Sequence, residues 1–131
     1  MLPKTYRFQI MNETGQTLAD GAVTIKAVRY KFTSGGAVSY EGSEGTAFST
    51  AGTTADDAYL NGTTQDNSAN LYVGGHFELT VTAPASAAGN VTCFLQRSMD
   101  GGTTFDGDGL GEIVAAINFT TSGTKVKTFE V

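Results

Sequence analysis

Three consecutive runs decide the fold: Asn90-Val91-Thr92-Cys93-Phe94-Leu95-Gln96-Arg97, then Ser98-Met99-Asp100-Gly101-Gly102-Thr103-Thr104-Phe105, then, after a short gap, Ile113-Val114-Ala115-Ala116-Ile117-Asn118-Phe119. In the first, Val91, Cys93 and Leu95 fall on one face of an extended chain and Thr92 and Gln96 on the other, the period of two that a strand requires. In the last, Ile113, Ala115, Ile117 and Phe119 share one face, with Val114, Ala116 and Asn118 on the other. The Gly- and Asp-rich segment between them supplies turns, so a β-hairpin or two neighbouring strands is expected.

Ser98, Asp100, Gly102 and Thr104, followed by Phe105, resemble the Asp-box, the Ser-x-Asp-x-Gly-x-Thr-Trp pattern in hairpins of sialidase-type propellers and of unrelated β-proteins. Phe105 stands where Trp is usual. The pattern has a local logic: the carboxylate accepts backbone N–H groups across the turn, Gly supplies positive φ, and the hydroxyls satisfy other turn groups. A propeller repeats the box in each of four or more four-stranded blades, whereas this chain has one copy in 131 residues. The resemblance therefore implies a structural hairpin at Ser98, Asp100, Gly102, Thr104 and Phe105, without sialidase activity.

Working outward, 131 residues suit one domain, 1–131, able to bury a core without disulfides or metal. Seventeen glycines against two prolines, many threonines and alternating apolar residues point to strands joined by tight turns. A formal net charge of −5 repels phosphate backbones, so no nucleic-acid partner is expected. The Met1–Arg7 segment has no apolar signal-like core, and no run approaches the about 18 apolar residues of a membrane span, so the expectation is synthesis in a host cytoplasm and no membrane partner. The single cysteine, Cys93, reads as a buried core thiol rather than a nucleophile. Sequons at Asn12, Asn61, Asn90 and Asn118 read as chance in a chain rich in Asn and Thr.

Strands are expected over Thr5–Met11 (Tyr6, Phe8 and Ile10 in phase), Ala22–Phe32, Ala37–Glu41, Leu71–Thr82 and Thr124–Val131, besides the two runs quoted above. In Ala22–Phe32 the apolar parity changes, from Val23, Ile25 and Ala27 to Val28, Tyr30 and Phe32. A β-bulge near Ala27-Val28 is expected, the alternative being a strand covered on both faces with Arg29 and Lys31 reaching past an edge. Residues 42–70 read as one long irregular loop or arm, with a capped helical turn over Thr53–Leu60. Within it Phe48, Tyr59 and Leu60 are anchors onto the sandwich or contacts for a partner. The fold class is all-β, an antiparallel β-sandwich (jelly-roll or Ig-like) of about seven or eight strands with one long irregular loop.

Candidate chemistry is thin. His76 lies beside Glu78 on a polar strand face, with no serine or cysteine placed as its partner, so no enzyme, catalytic residue or cofactor is expected. Asp100, Asp106, Asp108 and Glu112 sit on a Gly-rich segment, and Asp106, Asp108 and Glu112 make a calcium candidate of hard oxygens. The alternative is a solvated, charged hairpin tip that discourages edge pairing. A carbohydrate-binding β-sandwich module is a further alternative, with Tyr59 and Tyr72 the aromatics nearest open loops.

Over its full length the chain resembles small virion proteins of tailed bacteriophages: acidic, rich in Gly, Thr and Ala, with one cysteine and an Asn-Val-Thr strand leading into a Ser-x-Asp-Gly-Gly-Thr-Thr hairpin. The resemblance implies a capsid decoration (cement) protein in the virion, bound to the major capsid protein or other virion proteins as a homo-oligomer, a trimer by preference. A tail or baseplate component is the alternative within that class. Strand edges at the first and last runs and the 42–70 arm are the expected contact regions, with Phe48, Tyr59, Leu60 and Tyr72 as interface residues.

Overall fold

A computed structural model describes residues 1–50 and 52–131; residue 51, within the segment read as irregular, lies outside the described residues. The described residues form ten strands: β1 (Thr5–Glu13), β2 (Val23–Phe32), β3 (Val38–Tyr40), β4 (Gly45–Ser49), β5 (Ala58–Asn61), β6 (Gln65–Asp66), β7 (Gly74–Ala83), β8 (Gly89–Arg97), β9 (Glu112–Phe119) and β10 (Gly123–Glu130). They build a sandwich of two antiparallel sheets of five strands each. The first sheet runs β5-β1-β8-β9 with β6 also on β1, and the second runs β10-β7-β2-β3 with β4 also on β2. The central pairs are nested in sequence: β1 lies on β8, and inside that pair β2 lies on β7.

Alternation builds the core. Tyr6, Phe8 and Ile10 of β1 and Val91, Cys93 and Leu95 of β8 face Val23, Ile25 and Ala27 of β2 and Phe77, Leu79 and Val81 of β7, all buried. Phe8 bridges the layers edge-on, its ring 5.2 Å from Phe77 and 6.0 Å from Phe129. Burying a side chain of this size contributes about 1.5–3 kcal/mol. Strands of moderate apolar content hold together because each inward residue meets the opposite sheet.

Four expectations are corrected. Residues 42–70 contain three short strands, β4 on β2 and β5 and β6 on β1, so the segment laces the two sheets along one flank. Thr53–Leu60 forms no helical turn, because the chain is held extended: Thr54 exchanges backbone hydrogen bonds with Leu18, and Asp57 donates its N–H to the Asn12 carbonyl. β2 keeps unbroken register with β7 from Val23 to Tyr30, without a bulge at Ala27-Val28. Parity is kept, so Val28, Tyr30 and Phe32 stand on the outer face while Arg29 and Lys31 stay on the inner side beyond the apolar core. β1 is an inner strand, flanked by β8 and by β5 and β6, so only the last of the two expected edges is one.

Register shifts lie elsewhere: on β4, where Ile25 pairs with Phe48 but Lys26 with Thr46 and Ala47 is the extra residue, and on β9. Cys93 pairs with Ala115 but Phe94 pairs with Ile113, leaving Val114 as the extra residue of β9. One extra residue reverses every side chain before it. Ile113, read as core, is 65% exposed, while Ala115, Ile117 and Phe119 are buried as their parity requires.

Candidate interaction surface

The outer faces of the two sheets differ. That of the first sheet is covered by the chain between β8 and β9. Ser98 Oγ donates to Asp100 Oδ1 at 2.8 Å, and the same oxygen accepts the Thr104 N–H at 2.8 Å and the Thr103 N–H at 3.1 Å. Gly102 N–H donates to Ser98 Oγ at 2.8 Å. Gly101 and Gly102 take positive φ, 75° and 101°, which L side chains resist. The Thr104 amide and side chain, then Ser98, hold the Asp100 carboxyl down at about 2.

Past this hairpin the chain folds back across β1 and β8. Gln96 Nε2 donates to the carbonyls of Asp106 (2.7 Å) and Gly107 (3.1 Å). Gln9 Oε1 accepts the Gly109 N–H at 3.0 Å. The Arg7 guanidinium lies over the Phe105 ring, 4.2 Å from its centre, and donates to Gln96 Oε1 at 2.7 Å. Gln9 and Gln96 have outward parity yet are fully buried, because the loop roofs them. Their amides supply the partners that a buried polar group needs.

Among the described residues nothing roofs the outer face of the second sheet in this way. Val28 and Tyr30 of β2, Tyr40 of β3 and His76 of β7 come together there. Tyr30 and Tyr40 are directly paired across strands with ring centres 5.8 Å apart, and the His76 ring lies 6.0 Å from Tyr30 and stacks on Tyr40 at 6.1 Å. Gly74 makes room for Tyr30, since a Cβ there would meet the Tyr30 hydroxyl at 2.5 Å and the Val131 carbonyl at 2.7 Å. His76 Nδ1 lies 2.8 Å from Glu130 Oε1. Phe32 (58% exposed), its cross-strand partner Val38 and Tyr40 (56%) extend the apolar surface to solvent. Beside them lies a shallow depression of about 400 Å³ lined by Lys26, Val28, Glu44, His76, Glu78 and Glu130. Aromatic rings, a histidine and carboxylates on a rigid sheet suit adhesion to another surface.

One end of the core is closed by polar groups. Arg29 pairs with Glu41 at 3.0 Å and lies over the Tyr72 ring at 5.1 Å. Burial works against the Arg29 charge, but Glu41 and Tyr6 more than offset it and raise its pKa. Burial likewise pushes the Tyr6 hydroxyl up; it sits beside Arg29 without a hydrogen bond of good geometry.

The residues singled out from sequence are dispersed. Phe48 is 2% exposed and packed in the core, which corrects its candidacy as an interface residue. Leu60 and Tyr72 are half-buried against the core, and Tyr59 is half-buried beside Phe94. Asp106 accepts the Arg97 backbone N–H, Glu112 pairs with the Arg97 guanidinium and Asp108 accepts from Gln9, so each carboxylate is engaged by a protein donor. Among the described residues no three His, Cys, Asp or Glu side chains come together as a metal-holding group. Asn12 is buried, its amide donating to the carbonyls of Gln16, Thr54 and Ala55. The Tyr30, Tyr40 and Phe32 surface was missed from sequence. Its signal was the parity change in β2, which marks where apolar residues leave the core for the outer face.

No protein-family model, no curated protein and no solved structure matches this chain.

Proposed function

We propose that the chain is a non-catalytic structural subunit of a bacteriophage particle, a capsid decoration (cement) protein that lies on the shell and braces it through protein–protein contacts. The carrying observation is the asymmetry of the outer faces: the chain between β8 and β9 roofs one, and the other presents Tyr30, Phe32, Val38 and Tyr40 unroofed among the described residues. A body that roofs one side and leaves an aromatic patch on the other suits one-sided attachment, with the buried centre of the contact apolar and its rim, Lys26, Glu78 and Glu130, polar. The acidic, Gly- and Thr-rich composition and the single Asp-box-like hairpin support the class.

Particles banded by density gradient from the source phage test this. The chain is expected in the particle fraction in many copies, and a Phe32→Glu, Tyr40→Glu variant is expected to fold yet be lost from it. Absence of the wild-type chain from every particle fraction overturns the reading. A carbohydrate-binding module is the second reading, and the exposed Tyr40 ring stacked with His76 beside polar groups favours it over a site at the half-buried Tyr59 and Tyr72. Glycan-array binding that Tyr40→Ala removes would favour it.

A further inference from the structure

We propose that two copies of this chain pair through β3, strand against strand about a two-fold axis that passes through Ser39 normal to the sheet, so that the second sheet runs unbroken from one copy into the other. The pairing goes beyond the attachment reading and stands or falls without it.

β3 ends its sheet: β2 lies on one side of it, and among the described residues no strand lies on the other. The two edges of this sheet are unlike. On β10, Lys125 and Lys127 occupy core-facing parity opposite Val81 and Leu79, the inward charge that commonly blunts an edge. From Phe32 to Tyr40, around the turn between β2 and β3, the chain has no charged residue and no proline. Val38 and Tyr40 are both exposed.

The direction of the backbone groups fixes the register. Thr33 N–H donates to the Ala37 carbonyl at 2.8 Å, and Glu41 N–H donates to the Arg29 carbonyl at 2.8 Å. These pairs flank Lys31 and Ser39, so by the alternation of an antiparallel ladder Ser39 turns its backbone groups toward Lys31. The N–H and C=O of Val38 and of Tyr40 therefore point out of the sheet edge. A two-fold axis at Ser39 sets Val38 of each copy against Tyr40 of the other as hydrogen-bonded pairs, and every outward group of β3 finds a partner.

The side chains agree with that register. Ser39 meets Ser39 on the inner side, two small residues at the closely spaced position of the ladder. Ala37 opposes Glu41, whose carboxylate Arg29 already holds at 3.0 Å, and Gly36 opposes Gly42, so no like charges are opposed. The second copy's chain turns back toward its own β2 at Gly35-Gly36, where the first leaves β3 at Gly42. On the outer face Val38 meets Tyr40, a β-branched residue against an aromatic one, a favourable cross-strand pair. With the pairings already present in each copy, a row across the junction reads Phe32, Val38, Tyr40, Tyr30, the last two from the second copy. Because the axis is normal to the sheet, both aromatic patches look the same way, and two patches cut off at an edge become one surface.

Such an isologous contact closes at two copies. Three residues a side make a small contact against the about 1,000 Å² of a stable interface, so the pair is expected to dissociate on dilution and to be held where copies are crowded on a surface.

Sedimentation velocity over a concentration series and cysteine cross-linking test the pairing. The wild type is expected to shift from monomer to dimer as its concentration rises. Ser39→Asp sets like charges together across the axis while facing Lys31 of its own copy; it is expected to stay folded by circular dichroism and to weaken dimerisation about fivefold. Ser39→Cys brings two thiols to a Cα separation of about 4.5 Å, within disulfide reach. With copper phenanthroline as oxidant it is expected to cross-link at a concentration where Thr128→Cys, exposed on the outer face of β10, stays monomeric. Cys93 is buried and takes no part. Ser39 faces away from Tyr30, Phe32 and Tyr40, so these variants leave the attachment patch in place. Should Ser39→Asp not fold, the cross-linking comparison decides. A wild type that is monomeric at the highest concentration, a folded Ser39→Asp that dimerises like it, or a Ser39→Cys that cross-links no faster than Thr128→Cys overturns the proposal. A chain that pairs in this way yet is missing from purified particles overturns the virion reading alone.

Discussion

Gln9 Nε2 donates a hydrogen bond of 2.6 Å to Asp108 Oδ1, tying the middle of β1 to a loop 99 residues later. The same amide donates to Asn61 Oδ1 at 2.7 Å, so one side chain joins β1, its neighbour β5 and the roof above them. With the Gly109 N–H that Gln9 Oε1 accepts, this link pins the far half of the roof, while Gln96 and Arg97 hold the near half at Asp106 and Gly107.

Gln9→Leu is accordingly expected to destabilise the protein by about 1–3 kcal/mol. It leaves the Gly109 N–H without its acceptor and the Asp108 carboxylate against an apolar side chain. Urea unfolding gives the magnitude, and limited proteolysis is expected to cut first within residues 98–111. A variant as stable and as resistant as the wild type would show that the roof is held by other means.

The bulge of β9 makes a second prediction. Ile113→Thr is expected within about 0.5 kcal/mol of the wild type, as for exposed positions generally. Ile117→Ala, four residues on and buried, is expected to cost about 2–4 kcal/mol. Equal costs in denaturant melts would place both residues in the core and remove the bulge.

Ile113 also shows how far the sequence could be read. A strict period of two placed β7, β8 and most of β1 on their correct faces, because regular strands between two layers have no freedom to do otherwise. It failed where one residue is added, at Val114, since nothing in the local apolar pattern announces the insertion. In β2 the reverse happened: an apolar parity change looked like a bulge, but Val28, Tyr30 and Phe32 are outward apolar residues on an unbroken strand. The 42–70 segment looked irregular because β4, β5 and β6 are too short to show a period. Their pairing is imposed by distant partners, as in Asp57 N–H to the Asn12 carbonyl. The aromatic surface was illegible for the same reason, since Tyr30, Tyr40 and His76 meet only through two strand pairings.

Gly74→Ala tests the seat of that surface. A Cβ cannot stand 2.7 Å from the Val131 carbonyl and 2.5 Å from the Tyr30 hydroxyl, so the Tyr30 ring must lift from the sheet. The expected cost is about 1–3 kcal/mol, the range for overpacking. NMR is expected to show the His76 and Tyr40 ring signals shifting with it. Unperturbed ring signals would mean that Tyr30 does not order the patch.

Cys93 is expected to be inert in the native state. Burial alone pushes its thiol well above the ordinary range, and the thiol rather than the thiolate is present at neutral pH. Labelling by an aromatic disulfide reagent is therefore expected to run at the rate of opening of the sandwich and to become fast only in denaturant. Prompt labelling of the folded protein would put the thiol at the surface.

The Asp-box-like hairpin predicts a pH dependence whose sign follows from its hydrogen bonds. Thr104 and Ser98 donate to the ionised Asp100 carboxylate and hold its pKa at about 2, below the ordinary 3.8. A carboxyl depressed by folding stabilises the hairpin above the unfolded value and ceases to do so as the pH falls through the folded one. The hairpin is thus expected to be intact above about pH 4 and to loosen toward about 2. The Thr104 amide proton, which donates to Asp100 Oδ1 at 2.8 Å, reports this in an NMR titration. Asp100→Asn is expected to keep the hairpin, since all three donors meet the one oxygen that an amide retains, and to abolish the inflection. Asp100→Ala is expected to lose the hairpin at every pH. An inflection at 3.8 in the wild type, or one that persists in Asp100→Asn, would mean that another carboxyl governs the turn.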